Sequence, residues 1–484
     1  MRKLNIYEEA SRCLLCQDAP CTKVCKTGDP ARAIRAIRFD NHKPALRWVK
    51  DCSDADLEAA EQACIHYNWP IRIKEMIRSI HDDDVDDSNY PSLAIDFCGI
   101  HCENPFFLAS SAVCTNYEMV ANAFEAGWGG VFYKTICLQE IKEVSPRFDA
   151  MHNNATHGDF YGFRNMEQLS ENPVDMDFDI LYRLKQNYPT KIVVASIMGQ
   201  TEDQWVELAK MAEEAGCDAI ELNFSCPQMK HKGMGSDVGQ SPALVKAYTA
   251  CVKQSVKIPV IPKMTPNITH IEEPAMACVE AGADAISAIN TIKSVTMAND
   301  AEVTGRRTIS GYSGRAVRPI ALRHILELAQ MPAKVELSGI GGIETWRDAL
   351  EFIQLGCGNV QVCTAVMQYG YRIIDDLTLG LQRFMAKRGV SELSQLIGEH
   401  LPKFLKPDDL DRDSIIYPKI DREKCVGCGR CQVSCMDGGH QAIAFDAETR
   451  QPRIIGTKCV GCHLCRLVCP AGAIIPTKRI ARKP

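Results

Sequence analysis

Residues 214–227 read EAGCDAIELNFSCP, and they carry the signals from which the fold can be predicted. Glu214-Ala-Gly216 has the form of a helix end, because glycine provides the left-handed cap from which a short loop enters the next element. The apolar run that begins at Ala219 predicts a buried strand of a parallel sheet. Polar residues from Asn223 onward end the run. We therefore predict a helix–strand unit with polar side chains at the carboxyl end of the strand.

The same unit recurs through the middle of the chain. Glu125-Ala-Gly127, Glu280-Ala-Gly282 and Gln354-Leu-Gly356 each precede an apolar run, and helical stretches separate most of the runs. The candidate strands are 106–110, 130–135, 192–198, 219–225, 260–265, 285–291, 335–340 and 359–365. Eight strands alternating with helices predict an α/β fold whose parallel sheet closes into a (β/α)8 TIM barrel. An open, doubly wound sheet is the alternative.

The composition is that of a globular protein. The 484 residues are 46% hydrophobic and 24% charged, and the net charge of −6 argues against a nucleic-acid partner. No apolar run approaches a membrane span, and the first residues lack the apolar core of a signal peptide, so we expect a soluble, cytoplasmic protein without a membrane partner. No G-x-G-x-x-G follows a strand, so a nicotinamide-binding Rossmann domain is not predicted.

The chain has 24 cysteines, which without a secretion signal are expected to be metal ligands and reduced thiols. Eight form two similar runs, Cys425-x2-Cys428-x2-Cys431-x3-Cys435 and Cys459-x2-Cys462-x2-Cys465-x3-Cys469-Pro470. This is the spacing of bacterial ferredoxins with two 4Fe-4S clusters, in which the fourth cysteine of each run ligates the other cluster. We predict one cluster on Cys425, Cys428, Cys431 and Cys469, and another on Cys459, Cys462, Cys465 and Cys435. A pair of structural zinc sites is the alternative.

A second group of cysteines lies near the N-terminus. Its members are Cys13, Cys16, Cys21 and Cys25, followed by the isolated Cys52 and Cys64. Their density predicts a metal or cluster site, but the spacing alone does not separate iron from zinc. Apolar residues at helical spacing after Cys25 predict a helix. We interpret the arginines on that helix, Arg32, Arg35 and Arg38, as a solvated face.

The polar residues that follow the predicted barrel strands are the candidate site, because catalytic residues of such barrels lie at the carboxyl ends of the strands. Two of them are lysines, Lys134 and Lys263, which are costly to bury without an anionic partner. Glycines after the seventh strand, with a hydroxyl after the eighth, form the usual phosphate site. The sequence therefore predicts a cofactor that carries a phosphate.

Residues 95–400 resemble the FMN-binding barrel shared by dihydroorotate and dihydropyrimidine dehydrogenases. The segments that carry the resemblance are Asn223-Phe-Ser-Cys226-Pro227, Lys263-Met-Thr-Pro-Asn267 and Asn290-Thr291. The resemblance implies FMN contacts from Ser110, Lys134, Thr135, Lys263, Gly314, Gly341, Gly342, Cys363 and Thr364. It implies that the pyrimidine is held by Asn165, Asn223, Ser225, Asn290 and Thr291.

The two-cluster tail favours the dihydropyrimidine dehydrogenases of the bacterial two-subunit type. The resemblance then implies reversible reduction of uracil or thymine to the 5,6-dihydro form. Hydride passes from FMN to C6 of the ring, and Cys226 supplies a proton at C5 as general acid. Gly233 and Gly235 would let the loop after Cys226 open and close. Electrons would arrive through the clusters from an FAD- and NAD(P)-binding flavoprotein subunit, in a hetero-oligomer built on a dimer of this chain.

The N-terminal segment resembles the iron-sulfur domain usually found on the NAD(P)H-oxidising partner. That resemblance implies one cluster on Cys13, Cys16, Cys21 and Cys64. A second cluster is expected to be lost, because only Cys52 is left to join Cys25 and the position of its glutamine ligand is occupied by Ile77.

The predicted organisation has three domains. They are a helical iron-sulfur domain at 1–80, the barrel at 95–400 and a ferredoxin-like α+β domain at 419–484, with linkers at 81–94 and 401–418. Two other functions stay open. One is a dihydroorotate dehydrogenase or a related oxidoreductase of cyclic amides, and the other is an electron-transfer subunit with an inactive barrel.

Overall fold

The computed structural model describes residues 4–66, 68–80, 89–152, 160–229, 233–295 and 308–482. Most of the predicted linker at 81–94 lies outside these ranges. The chain divides into two compact units, Met1–Leu401 and Pro402–Pro484. No helix in the described ranges has both the length and the apolar character required to cross a bilayer.

Eight parallel strands form a closed barrel in the first unit. In chain order they are Phe106–Leu108, Gly130–Phe132, Ile192–Ile197, Ala219–Asn223, Val260–Lys263, Ala285–Ala288, Glu336–Ile340 and Cys357–Val362. Each strand pairs with its neighbours in the sequence of strands, and the eighth pairs with the first. The predicted (β/α)8 barrel is confirmed, and the open doubly wound sheet is wrong. Most strands end earlier than predicted, at Leu108 rather than Ser110 for example, because the polar residues that follow leave the hydrogen-bonded ladder.

Helices surround the barrel and connect its strands. They are Tyr117–Ala126, Val174–Asn187, Glu202–Glu214, Ser236–Gly239, Pro242–Ser255, Glu272–Glu280, Arg318–Ala329, Trp346–Gln354, Thr364–Tyr369 and Ile374–Arg388. The helix that begins at Tyr117 ends at Gly127, whose φ of 110° is the left-handed cap expected from the Glu-Ala-Gly pattern. The strand Ile192–Ile197 is buried at every position, as expected for a parallel sheet covered on both faces.

Short strands lie outside the barrel and were not predicted. Ile95–Phe97 and Ile100–Cys102 form an antiparallel hairpin before the first barrel strand. A four-stranded antiparallel sheet contains Ile292–Ser294, Ser310–Ser313, Phe160–Asn165 and Phe148–His152 in that order. The last residue of its third strand, Asn165, lies in the wall of the cavity at the barrel mouth.

The N-terminal part of the first unit is helical. Its α-helices are Ile6–Ser11, Pro20–Val24, Pro30–Arg38, Asp54–Gln62 and Ile73–Arg78, and a 3-10 helix spans Pro44–Trp48. The interpretation of the arginines as a solvated face was wrong. Arg35 is buried and its Nε lies 2.6 Å from Asp376 Oδ2 on a barrel helix, while Arg32 pairs with Asp375. The helix Pro30–Arg38 is therefore packed against the barrel through ion pairs between residues far apart in the sequence.

The second unit is small and has its own core. Strands Ser414–Ile420 and Ile474–Ala481 pair antiparallel, as do Ile443–Asp446 and Gln451–Ile454. Two α-helices, Arg430–Gly438 and Leu464–Leu467, and a 3-10 helix, Pro407–Asp409, are also described in this unit. The first of these strands lies partly within the segment 401–418 that was interpreted as a linker.

Candidate active site

A cavity of about 970 Å³, its open mouth included, lies at the carboxyl ends of the barrel strands. It brings together most of the residues singled out in the sequence: Ser110, Lys134, Thr135, Asn165, Asn223, Cys226, Lys263, Asn290, Thr291, Gly314, Gly341, Gly342, Cys363 and Thr364. Ser225 does not line the cavity and is completely buried behind Asn223 and Asn290.

Each of the two lysines in the cavity wall is paired with a buried carboxylate. Lys134 Nζ lies 3.1 Å from Glu167 Oε1, and Lys263 Nζ lies 3.4 Å from Glu221 Oε1. All four side chains are at most 8% exposed. A buried ammonium group is tolerated when it has such a partner, and removal of the partner leaves a costly unpaired charge. Anionic partners were therefore expected for these lysines, but the sequence did not show which carboxylates they are.

Side-chain amides and hydroxyls form a connected array along one side of the cavity. Asn223 Nδ2 donates to Thr135 Oγ1 at 2.9 Å, and Thr135 Oγ1 is 3.0 Å from Ser110 Oγ. Asn290 Nδ2 donates to Ser225 Oγ at 2.9 Å, and that hydroxyl donates to Asn223 Oδ1 at 2.8 Å. The amides of Asn223 and Asn290 are thus held in fixed orientations. Amides provide both donors and acceptors, which suits a planar ring with carbonyl and N–H groups.

Cys226 lies at the wall of the same cavity and is only 4% exposed. Burial raises the pKa of its thiol above the ordinary value, so the side chain stays protonated at neutral pH. Ser236 lies against its backbone, because the N–H of Ser236 donates to the Cys226 carbonyl oxygen at 2.9 Å. Gly235, at a φ of +59°, is packed so closely that a Cβ there would overlap this oxygen. The arrangement can hold a proton at Sγ beside a bound ligand.

The glycine turn after the seventh strand was predicted to bind a phosphate. Gly342 has a φ of +73°, and a Cβ there would lie 2.8 Å from both the Arg318 nitrogen and the Gly314 oxygen. Only glycine fits this position, and it lets a ligand approach the backbone closely. Nearby, Thr364 Oγ1 is 3.1 Å from Ser313 Oγ. Together with two lysines in the wall, the turn fits the phosphate-bearing cofactor expected from the sequence.

Several residues in the cavity wall were missed in the sequence analysis. They are Glu167, Gln168, Tyr312, Arg315 and Gln361. Gln361 lies within a barrel strand between two valines, and as a polar residue there it could have been noticed. Its Oε1 is buried and, among the described residues, accepts no hydrogen bond, which leaves an acceptor for a ligand donor. The others lie on irregular segments or on the four-stranded sheet, where no sequence pattern indicates the cavity.

The six N-terminal cysteines fall into two groups. Burial raises the pKa of Cys13, and the nearby thiols of Cys16 and Cys64 raise it further. The pKa of Cys21 is about 11 for the same reasons, with Cys13 and Cys64 as its neighbours. Cys25 and Cys52 form a separate buried pair, with their Sγ atoms 3.2 Å apart.

The eight C-terminal cysteines line two separate cavities of the second unit. One is lined by Cys425, Cys428, Cys431 and Cys469, and the other by Cys435, Cys459, Cys462 and Cys465. These are the two ligand sets assigned from the spacing. In the described part of the chain no group of three or more His, Cys, Asp or Glu is arranged to hold a single metal ion.

Comparison with known proteins agrees with this geometry. Residues 92–385 match the dihydroorotate dehydrogenase family and residues 418–475 match the 4Fe-4S dicluster domain. The chain is 50% identical over 368 residues to the NAD-dependent dihydropyrimidine dehydrogenase subunit PreA of Escherichia coli, covering 74% of this chain and 89% of that protein. It is 39% identical over 338 residues to the chloroplastic dihydropyrimidine dehydrogenase (NADP(+)) of Arabidopsis thaliana, covering 66% and 79%. It is 35% identical over 312 residues to the catalytic subunit of dihydroorotate dehydrogenase B (NAD(+)) of Pyrococcus abyssi, covering 63% and 98%.

Proposed function

The chain belongs to the dihydroorotate dehydrogenase family of oxidoreductases and carries an iron-sulfur domain, and from this premise we propose that it is the catalytic subunit of a dihydropyrimidine dehydrogenase. It reduces uracil or thymine reversibly to the 5,6-dihydropyrimidine. The names of the Escherichia coli and Arabidopsis thaliana relatives support this substrate class.

FMN occupies the cavity at the barrel mouth in this proposal. Its fit is supported by the two lysines, the glycine turn and the unpaired acceptor of Gln361. When bound, FMN supplies the hydride chemistry that no side chain can perform. The residues that hold it are Ser110, Lys134, Thr135, Lys263, Gly314, Gly341, Gly342, Cys363 and Thr364. The lysine ammonium groups favour the negative charge that reduction places on the flavin.

The pyrimidine is held by side chains that line the cavity, from Asn165, Asn223, Asn290 and Thr291. Ser225 lies behind them and holds the amides of Asn223 and Asn290 in place. Carbonyl oxygens of the ring accept from amide N–H groups, and ring N–H groups donate to amide oxygens. The network around Ser225 supports this role, because it fixes the orientation of Asn223 and Asn290 before a ligand binds. A preoriented site distinguishes between rings by hydrogen bonding, because a ring whose donors and acceptors do not match would leave buried polar groups unpaired.

Cys226 is the general acid. As hydride reaches C6 of the ring, the S–H bond of Cys226 breaks and a C–H bond forms at C5, which leaves a thiolate that regains its proton from solvent. The raised pKa of the thiol keeps this proton in place before the reaction. The thiolate is short-lived for the same reason, because burial disfavours it.

Iron-sulfur clusters deliver the electrons. Two 4Fe-4S clusters are bound by the C-terminal sets Cys425, Cys428, Cys431, Cys469 and Cys435, Cys459, Cys462, Cys465, and one by the N-terminal set Cys13, Cys16, Cys21, Cys64. The Escherichia coli relative is named as a subunit, which supports a hetero-oligomer with a second chain. We propose that the second chain is a flavoprotein that binds FAD and oxidises NAD(P)H, and that the complex is built on a dimer of the present chain in the cytoplasm.

The observation that carries the proposal is the presence of a buried thiol, two paired lysines and a preoriented amide array in one cavity. The experiment is cofactor analysis of the purified chain, followed by uracil reduction with a chemically reduced viologen as donor. FMN without FAD, together with dihydrouracil formation, is the expected result. Oxidation of dihydroorotate without uracil reduction would favour the function named for the Pyrococcus abyssi relative. FMN binding without turnover of either substrate would favour an electron-transfer subunit.

A further inference from the structure

Glu221 is a completely buried carboxylate in the interior of the barrel, two residues before Asn223 on the fourth barrel strand. It does not line the cavity, and no step of the proposed reaction uses it. The interior of such barrels is normally packed with branched apolar side chains. A charged residue at this position costs free energy unless all its oxygens are satisfied, so its contacts indicate what it does.

Both oxygens of Glu221 are occupied. Oε1 accepts a hydrogen bond of 2.9 Å from Ser196 Oγ and lies 3.4 Å from Lys263 Nζ. Oε2 accepts a hydrogen bond of 3.1 Å from Ser287 Oγ. These three partners lie on the third, fifth and sixth barrel strands, so one carboxylate connects four strands.

Further hydrogen bonds connect the partners of Glu221 to the cavity wall on both sides. Ser196 Oγ is 2.9 Å from Thr135 Oγ1, a residue of the cavity wall. On the other side Gln361 Nε2 donates to Ser287 Oγ at 3.0 Å. Glu221 thus reaches the cavity wall through one hydroxyl on each side and directly through Lys263.

The charge of Glu221 acts on Lys263 in two ways. The carboxylate restrains the ammonium group at the cavity floor, and it offsets part of the positive potential that the ammonium group presents to a ligand. In a buried site such effects are screened little by solvent. A flavin becomes more negative on reduction, so its equilibrium between oxidised and reduced forms responds to this potential.

We propose that Glu221 is a positioning residue that holds Lys263 at the cavity floor and sets the reduction potential of the bound flavin. This inference rests on the proposed function only in that FMN occupies the cavity. With Glu221 ionised, part of the charge of Lys263 is cancelled and the reduced flavin is less favoured. With Glu221 made neutral, the reduced flavin is favoured more strongly.

The test compares Glu221→Gln with wild type in the full-length protein loaded with FMN. Gln keeps the shape of the side chain and its ability to accept hydrogen bonds, but it removes the charge. We expect the ratio of reduced to oxidised flavin at a given potential to rise at least tenfold. This is an upward shift of about 30 mV in the two-electron midpoint potential. The readout is the midpoint potential measured against reference dyes, which does not depend on turnover.

Ser287→Ala is the matched control, because it removes one hydrogen bond to the same carboxylate and leaves both charges. In Ser287→Ala the ratio of reduced to oxidised flavin at a given potential should stay within threefold of wild type. An unchanged or lowered potential in Glu221→Gln overturns the proposal, and so does an equal shift in Ser287→Ala. If Glu221→Gln does not fold, Glu221→Asp is the variant to measure in its place. It draws the carboxylate away from Lys263, so a rise of at least threefold in the ratio is expected and an unchanged ratio overturns the proposal.

The outcomes separate this inference from the function on which it rests. Wild-type protein that does not bind FMN contradicts both. Wild-type protein that binds FMN and reduces uracil, with a Glu221→Gln variant of unchanged potential, contradicts only the role of Glu221.

Discussion

The backbone N–H of Ser236 donates a hydrogen bond of 2.9 Å to the carbonyl oxygen of Cys226. The backbone of the proposed proton donor is therefore fixed on both sides. The barrel strand that ends at Asn223 precedes it, and Ser236 binds its carbonyl oxygen. Gly235 makes this contact sterically possible, because a side chain at that position would overlap the same carbonyl oxygen.

Gly235→Ala should lower uracil reduction more than tenfold by displacing the backbone of Cys226. Gly233→Ala is the matched control, because Gly233 also has a positive φ, +80°, but a Cβ there has nothing within 4 Å. Gly233→Ala reports the strain of an alanine at positive φ, about 1–2 kcal/mol. Gly235→Ala adds the overlap with Cys226 and, at a ψ of −127°, further backbone strain. The measurement is kcat with a saturating artificial donor. Equal losses in the two variants would show that the contact with Cys226 is not important.

Cys226→Ala should lower kcat for uracil reduction by about 10² to 10⁴, the usual contribution of a general acid. Its FMN and iron contents should match wild type, because Cys226 is not among the expected ligands. Cys278→Ala is the control, since Cys278 is equally buried but lies outside the cavity. Full activity in Cys226→Ala would favour the inactive-barrel alternative.

The pH dependence of uracil reduction should reflect the raised pKa of Cys226. A general acid works only while protonated, so raising its pKa moves the loss of activity to higher pH. We expect the basic limb of the kcat profile to lie above about 8.5, the ordinary pKa of a thiol. A basic limb centred at or below that value would contradict the assignment of Cys226 or its burial in the complex.

Iron content tests the N-terminal cluster. We expect about twelve irons per chain, four for each of three clusters. Cys64→Ser should lose about four of them, whereas Cys52→Ser should keep all, because Cys52 pairs with Cys25 and is not in the proposed ligand set. About sixteen irons in wild type, or an equal loss in Cys52→Ser, would show that a second N-terminal cluster exists.

Arg35→Met should destabilise the first unit by about 3–5 kcal/mol at pH 8, because it leaves the carboxylate of Asp376 buried without its closest cation. Arg323→Met is the control and should cost less than about 1 kcal/mol, since Arg323 forms an exposed pair with Glu327. The measurement is the free energy of unfolding in denaturant, followed by circular dichroism.

The cost of Arg35→Met should decrease as the pH falls. Burial raises the pKa of Asp376 to about 6 in the folded protein, despite Arg35. The folded state thus binds this proton more tightly than the unfolded chain, so stability falls as the pH rises from about 4 to about 6. Removal of Arg35 raises the pKa further, so the variant differs most from wild type at pH 8 and least near pH 5. A cost independent of pH would show that Asp376 does not ionise.

Local sequence patterns were sufficient to predict the barrel and the grouping of the C-terminal cysteines into two sets. The strand at Ala219–Asn223 and the glycine cap before it are each visible within a few residues, and eight such units allow few architectures. The spacing of the cysteines from Cys425 to Cys469 also predicts which thiols lie together, because the ligands of one cluster must be close in space. The interpretation of Arg35 failed for the opposite reason, since its partner Asp376 is 341 residues away.

By itself, then, the sequence determined the alternation of strands and helices, the polar ends of the strands and the two ferredoxin runs. Tertiary structure alone decided which carboxylate faces which cation: Glu167 faces Lys134, Glu221 faces Lys263 and Asp376 faces Arg35. The physical reason is that hydrophobic periodicity and ligand spacing are properties of short segments. The pairing of buried charges depends on which strands and helices become neighbours when the barrel closes, and no short segment contains that information.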